Sequence, residues 1–275
     1  MRIEFNHKGV LVTGAGTGIG REIALEFARS GADVVFHYNR SPDGAISGAR
    51  EARALGVCAE ALSADFSQLD EVLALADQAA KFLGRVDILI NNAGITFNKP
   101  FLQTEPAQFE KLYQVNVRAG YTLTQQVIPG MLEAGGGAIC NLTSIHGLQG
   151  MIEHSLYAGT KGAIIAYTRS LAMEFAHRNI RINAIAPGWI TVDNYRQAIP
   201  GFDRAEATKA AFDTIPAARD GLPLDVARLA VFLCSDYASY IIGQTIVIDG
   251  GTTALMSLAP DFRTPLSAHF GRQYL

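Results

Sequence analysis

The feature that most restricts the fold is an alternation of two patterns. Seven short apolar runs, Val10–Thr13, Val34–Tyr38, Val57–Leu62, Val86–Ile90, Ala138–Leu142, Ile180–Ile185 and Thr245–Ile248, alternate with stretches whose apolar residues recur at helical spacing. The helical stretches are Arg21–Ser30, one that ends over Glu51–Leu55, Glu71–Leu83, Phe109–Met131, Tyr157–Arg178 and Leu224–Cys234. In Arg21–Ser30, Ile23, Ala24, Phe27 and Ala28 share one face, and Gly31 closes the pattern. Asn39–Gly44 reads as a polar loop, and Pro129 is expected to bend or fray the end of the long Phe109–Met131 helix. The short runs are apolar at successive positions, so both faces of each strand need covering. That predicts an α/β fold: a doubly wound parallel sheet of about seven strands with helices on both faces. With 49% hydrophobic and 18% charged residues, the 275-residue chain can bury a large core without disulfide or metal staples. A net charge of −3 leaves no electrostatic footprint for nucleic acid. No run approaches the ~18 apolar residues of a membrane span. Three widely spaced cysteines, Cys58, Cys140 and Cys234, have no metal-ligand spacing and fit a reducing, cytoplasmic setting.

The first strand runs directly into Thr13-Gly14-Ala15-Gly16-Thr17-Gly18-Ile19-Gly20 and then into a helix. Gly14 permits a tight turn, Gly18 lets backbone approach a pyrophosphate, and Gly20 lets helix and strand pack closely. Unpaired N–H groups at the helix N-terminus then favour an anion. This is a dinucleotide-binding arrangement. A carboxylate about 20 residues on would pair with a ribose 2′-hydroxyl. Here the second strand ends in His37-Tyr38-Asn39-Arg40-Ser41, with no acid. Asn39, Arg40 and Ser41 suit a 2′-phosphate, so NADP(H) is expected in preference to NAD(H).

Tyr157 and Lys161 stand four apart at the start of a helix, on one face of it. A free phenol has a pKa of about 10, and bringing it to neutrality requires about 4 kcal/mol of preferential stabilisation of the phenolate. One ammonium at ~4 Å, in an effective dielectric near 20, supplies about that much. Ser144, after the strand Ala138–Leu142, can hold a substrate oxygen near the phenol.

From Lys8 to Gly251 the chain resembles the short-chain dehydrogenase/reductase family. The matching elements are Thr13-Gly14-x-x-x-Gly18-x-Gly20, Asn91-Asn92-Ala93-Gly94, Asn116, Ser144, Tyr157-x-x-x-Lys161 and Pro187-Gly188. The resemblance implies a single Rossmann-type catalytic domain over residues 1–251 and a homotetramer joined partly through the two long helices. It implies that Tyr157 is the general acid/base. Lys161 would bind the nicotinamide ribose and depress the Tyr157 pKa, Ser144 would orient the substrate oxygen, and Asn116 would hold a water of the proton relay. For the cofactor it implies contacts from Gly14, Thr17, Gly18, Ile19, Gly20, Asn92, Ala93 and Gly94, from Asp65 and Phe66 at the adenine, and from Pro187, Gly188 and Ile190 at the nicotinamide. The chain departs from the pattern at Val192, where a threonine is usual; Thr191 precedes it.

Substrate choice is expected from the loop after Ser144, with His146 and His154 as candidates, from Trp189, and from a lid over residues 189–220. That lid carries Tyr195, Phe202, Phe212, Arg196, Arg204 and Lys209. The stretches around Asn39 and Ser144 are similar to those of glucose-type aldose 1-dehydrogenases, which makes a sugar or polyol the expected small-molecule substrate. A 3-oxoacyl thioester or small-ketone reductase is the alternative within the reaction class, and a non-catalytic dinucleotide sensor the alternative outside it. The tail, Thr252–Leu275, holds Phe262, Arg263, His269, Phe270, Arg272 and Tyr274, and is expected at a subunit interface.

Overall fold

The computed structural model describes residues 3–192, 201 and 203–255. Its strands are β1 (Gly9–Val12), β2 (Asp33–Tyr38), β3 (Ala59–Ser63), β4 (Ile88–Asn91), β5 (Gly137–Leu142), β6 (Ile180–Pro187) and β7 (Thr245–Ile248). They form one sheet in the order β3-β2-β1-β4-β5-β6-β7, every pair parallel. The helices between them are α1 (Gly18–Arg29), α2 (Pro42–Ala54), α3 (Leu69–Leu83), α4 (Pro106–Tyr113), α5 (Ala119–Glu133), α6 (Ser155–Phe175), α7 (Arg204–Thr214) and α8 (Pro223–Cys234). The doubly wound α/β sheet expected from the apolar runs is borne out. No helix among the described residues is long and apolar enough to cross a membrane.

Side chains of a strand point alternately to its two faces, and the core divides accordingly. Val10, Val12, Val34 and Phe36 join Ile23 and Phe27 of α1 in one cluster. Leu11, Val35, Leu89 and Ile139 join Leu75 of α3 and Leu123 of α5 in the other. Strand order reverses between β1 and β4, so the connections after them diverge to opposite faces and leave a crevice at the carboxyl ends of the strands.

Three local differences from the sequence expectation have physical causes. The loop predicted at Asn39–Gly44 is helical from Pro42, because proline is pre-shaped for a first helical turn and Asp43 complements its dipole. A Cβ on Gly44 would overlap the Gly16 carbonyl, so α2 starts hard against the glycine turn. The single helix expected over Phe109–Met131 is broken in register by a π-helical segment, Gln114–Arg118, and continues through Pro129 to Glu133 without fraying there. The described part of the expected lid includes α7, capped by Asp203, with Arg204 paired to Asp220 at 3.3 Å. Tyr195, Arg196, Phe202 and the tail from 256 onward lie outside the described residues.

Candidate active site

A cleft of about 390 Å³ lies at the strand-order reversal. Of the residues expected from sequence, Gly14, Thr17, Gly18, Ile19, Gly20, Asn39, Ser41, Asn92, Ala93, Gly94, Ser144, Tyr157, Pro187, Gly188 and Ile190 line it. Gly14 has φ +65°, a left-handed conformation that side chains resist. A Cβ on Gly20 would overlap both the Gly14 carbonyl and the Asn92 amide, so the close packing requires glycine. The twelve-residue α1 begins at this turn, has no acid in its first turn and receives no side-chain cap from Thr17. Its free N–H groups therefore suit the pyrophosphate of a dinucleotide, and the glycine cradle fits that group.

The turn is held from below and from the side. The Thr13 hydroxyl accepts the Asn92 and Ala93 N–H groups at 2.9 and 3.0 Å and donates to the Ile90 carbonyl at 3.2 Å. Asn92 Nδ2 donates to the carbonyls of Thr13 (2.8 Å) and Gly14 (3.2 Å). Asn91 turns away from the cleft: its amide nitrogen donates to Thr124 and Asn141 in the buried interior. The Gly14 N–H donates to Nδ1 of His37 at 3.1 Å, and Nε2 of His37 lies 3.1 Å from the Ala64 carbonyl. A carbonyl only accepts, so the proton sits on Nε2 and the ring is neutral. Burial pushes the His37 pKa down to about 4. His37 stacks face to face on Phe66, with centroids 4.2 Å apart.

Phe66 is thus a buried prop under the turn and, like Asp65, does not line the cleft. The Asp65 carboxylate accepts from the Ser67 N–H and hydroxyl, both at 2.8 Å, and these bonds hold its pKa below the usual range. Arg40 is exposed, off the cleft lining, while Tyr38 lines it beside Asn39 and Ser41.

At the other side Tyr157 opens α6, and the Lys161 ammonium lies 5.6 Å from its ring centroid. Lys161 is 4% exposed; its Nζ donates to the Leu142 carbonyl at 3.0 Å, and no carboxylate pairs with it among the described residues. Burial lowers its pKa to about 8, a cost to the ammonium of roughly 3 kcal/mol. Ser144, buried at the end of β5, accepts the His146 N–H on Oγ at 3.2 Å. Asn116 sits in the π-helical segment, a kind of distortion that frequently marks functional positions. Its Oδ1 accepts the Ile95 N–H at 2.8 Å; its Nδ2 donates to the Ile95 carbonyl at 3.0 Å and to Thr160 at 3.2 Å. Asn116 therefore ties the segment after β4 to the helix that carries Tyr157.

His146 and His154 stand beside Tyr157 and off the cleft lining. Trp189, half exposed, donates its indole N–H to the Thr191 hydroxyl at 3.2 Å, which engages that hydroxyl away from the cleft, while Val192 lines the cleft and packs over Gly18. Sequence reasoning gave no site role to His37, Tyr38, Thr96 and Thr143. For His37 a signal existed: a lone histidine inside a β-branched strand run must find two partners in the interior.

The family model described as enoyl-(acyl carrier protein) reductase matches residues 14–253. The 3-oxoacyl-acyl-carrier-protein reductase FabG of Staphylococcus epidermidis is 38% identical over 245 residues, 89% of this chain and 98% of that protein. Among solved structures, a 7α-hydroxysteroid dehydrogenase complexed with NADH and 7-oxo glycochenodeoxycholic acid superposes with TM-score 0.84 at 38% identity, covering 91% of this chain and 96% of that one. A protein of Beutenbergia cavernae, provisionally named an NAD(P)-dependent gluconate 5-dehydrogenase and holding NADP at low occupancy, superposes with TM-score 0.84 at 36% identity, covering 93% and 100%. The glycine turn, the Tyr157–Lys161 pair and these likenesses agree: the chain belongs to the short-chain dehydrogenase/reductase family and is an NAD(P)-dependent oxidoreductase.

Proposed function

We propose that the chain moves hydride between NADP(H), preferred to NAD(H), and a secondary alcohol or its carbonyl, with a sugar (aldose) or polyol as substrate. The observation that carries this reading is the convergence of Ser144 and Tyr157 on the cleft of the glycine turn, with the buried Lys161 ammonium one helical turn behind the phenol. The dinucleotide, when bound, supplies the carbon that accepts or gives hydride. Tyr157 takes the alcohol proton in oxidation and returns it in reduction. The Lys161 charge stabilises the phenolate, and its low pKa leaves it able to pass a proton on through the relay near Asn116. Ser144 donates a hydrogen bond to the same substrate oxygen and so fixes its distance from the phenol. NADP(H) is favoured because β2 ends without a carboxylate and is followed by Asn39, Arg40 and Ser41.

The provisional gluconate dehydrogenase name of one relative supports the polyol class. A second reading, reduction of a 3-oxoacyl thioester, has the FabG likeness in its favour. Absorbance at the reduced-nicotinamide band, with both dinucleotides crossed against aldoses, polyols, ketones and a 3-oxoacyl thioester, separates them. Turnover of aldoses or polyols is expected; turnover of the thioester alone installs the second reading, and dinucleotide binding without turnover of any of them overturns both.

The same reading includes a homotetramer joined through the outer faces of α4, α5 and α6, where Phe109, Tyr121 and Met173 lie 49%, 47% and 64% exposed. Residues 252–275 would contribute to an interface. Deleting Phe262–Leu275 is expected to change particle mass by light scattering, or the Michaelis constant; an unchanged tetramer with unchanged kinetics rejects the interface role.

A further inference from the structure

Two imidazoles flank the phenol. His146, in the turn after Ser144, stacks on His154, which precedes α6, with centroids 4.8 Å apart and planes 15° from parallel. Both meet the Tyr157 ring edge to face, at 5.9 and 6.4 Å. Nδ1 of His154 lies 2.8 Å from the Ile152 carbonyl and so carries its proton, which leaves Nε2 as a bare acceptor. Neither ring nitrogen of His146 has a hydrogen-bond partner among the described residues, so that ring keeps one donor and one acceptor. Half-buried polar groups beside a reaction site, kept without partners, are suited to a ligand.

The chemistry of the pair restricts that ligand. A second proton on two stacked rings places like charges about 5 Å apart, which is unfavourable. Burial and the neighbouring His154 both hold His146 below the ordinary histidine pKa. Lys99 is tied through its backbone to the Glu153 carbonyl and through its ammonium to Glu105 at 3.1 Å. A carboxylate only accepts, and would meet the bare Nε2 of His154 as acceptor against acceptor. A hydroxyl both donates and accepts, which matches the two rings together.

We propose that His146 and His154 form a hydroxyl-recognition subsite beside Tyr157, reading an uncharged hydroxyl on the carbon next to the one that reacts. The substrate is then a vicinal diol or polyol, as opposed to a simple alcohol or an acid that places its carboxylate at that position. The proposal rests on the alcohol-oxidising reading above and narrows it.

The test compares trans-cyclohexane-1,2-diol, cyclohexanol and 3-hydroxybutyrate on the full chain with its preferred dinucleotide. The expected kcat/KM for the diol exceeds that for cyclohexanol by about tenfold, the size of one well-placed hydrogen bond. His146→Phe is expected to collapse the ratio through the KM of the diol, and His146→Asn, which keeps a donor and an acceptor, to restore part of it. Equal kcat/KM for diol and cyclohexanol, a preference for 3-hydroxybutyrate, or equal losses on both alcohols in His146→Phe overturns the subsite while leaving the oxidoreductase reading intact. A second readout needs neither turnover nor a folded variant: the diol, and not cyclohexanol, should shift the His146 ring C–H resonance of the dinucleotide-loaded enzyme. No shift overturns the subsite; a shift without oxidation of any alcohol sustains it and rejects the proposed reaction.

Discussion

The floor beneath the glycine turn and the lip beside the phenol both rest on histidine, and they treat it in opposite ways. His37 is 2% exposed, bonded at both ring nitrogens and stacked on Phe66. His146 and His154 are half-buried, stacked on each other, and keep bonding capacity free. An imidazole whose two nitrogens are satisfied by backbone is spent on shape: it fixes where the Gly14 N–H stands. One whose nitrogens are unspent can be used on a ligand. The contrast separates a residue that positions a cofactor loop from residues that would read a substrate.

The largest expected effect concerns the phenol between these regions. Tyr157→Phe should lower kcat by about a thousandfold or more, while dinucleotide affinity, set at the floor, stays within about twofold. Stopped-flow turnover with calorimetric binding checks this, and retained turnover removes Tyr157 from its acid/base role.

The floor itself can be broken by acid. The folded His37 pKa of about 4 lies below the 6.5 of a free histidine, so between those values the unfolded chain binds the extra proton. Stability should therefore fall as pH drops from 6.5 to about 4, by roughly 3 kcal/mol from this group, and level off below. Urea unfolding across that range should show a steeper loss in the wild type than in His37→Leu. The variant should also bind dinucleotide more weakly, because Gly14 loses its acceptor; equal slopes and equal affinity would make His37 an incidental core residue.

Lys161 sharpens the comparison, being a buried charge whose pKa is depressed to about 8 from 10.5. The folded state pays the full desolvation cost below pH 8 and regains stability as pH rises from 8 to 10.5. Lys161→Met should thus raise the unfolding free energy from urea titration at pH 7 by about 1–3 kcal/mol, while lowering both turnover and dinucleotide affinity. A destabilised variant would show that the Leu142 carbonyl already compensates the charge. The smallest effect is expected at the exposed rim: Arg40→Asp should shift the NAD/NADP preference by about tenfold, one well-placed charge, and an unchanged ratio would remove Arg40 from 2′-phosphate recognition.

Much of this was readable beforehand because the signals are local. Apolar runs at Val34–Tyr38 or Ile180–Ile185 announce strands wherever they sit, and the Thr13–Gly20 turn and the Tyr157/Lys161 spacing each occupy one element. What escaped notice joins distant segments. His37 meets Gly14 and Ala64, Thr13 meets Asn92, and Asn116 meets Ile95 and Thr160 through bonds that no spacing encodes. Asp65 and Phe66, expected at the adenine, also contact Ser67 and His37, neighbours whose roles spacing does not encode.

From sequence alone come the layered α/β architecture, the glycine turn and the chemical identity of the catalytic groups, since periodicity, glycine conformation and i, i+4 geometry are properties of single segments. Tertiary structure decided which polar atoms are left unspent. Whether His37 is a prop and His146 a reader depends on which carbonyls and N–H groups fold against them, and that is a matter of three-dimensional neighbours, to which spacing along the chain is blind.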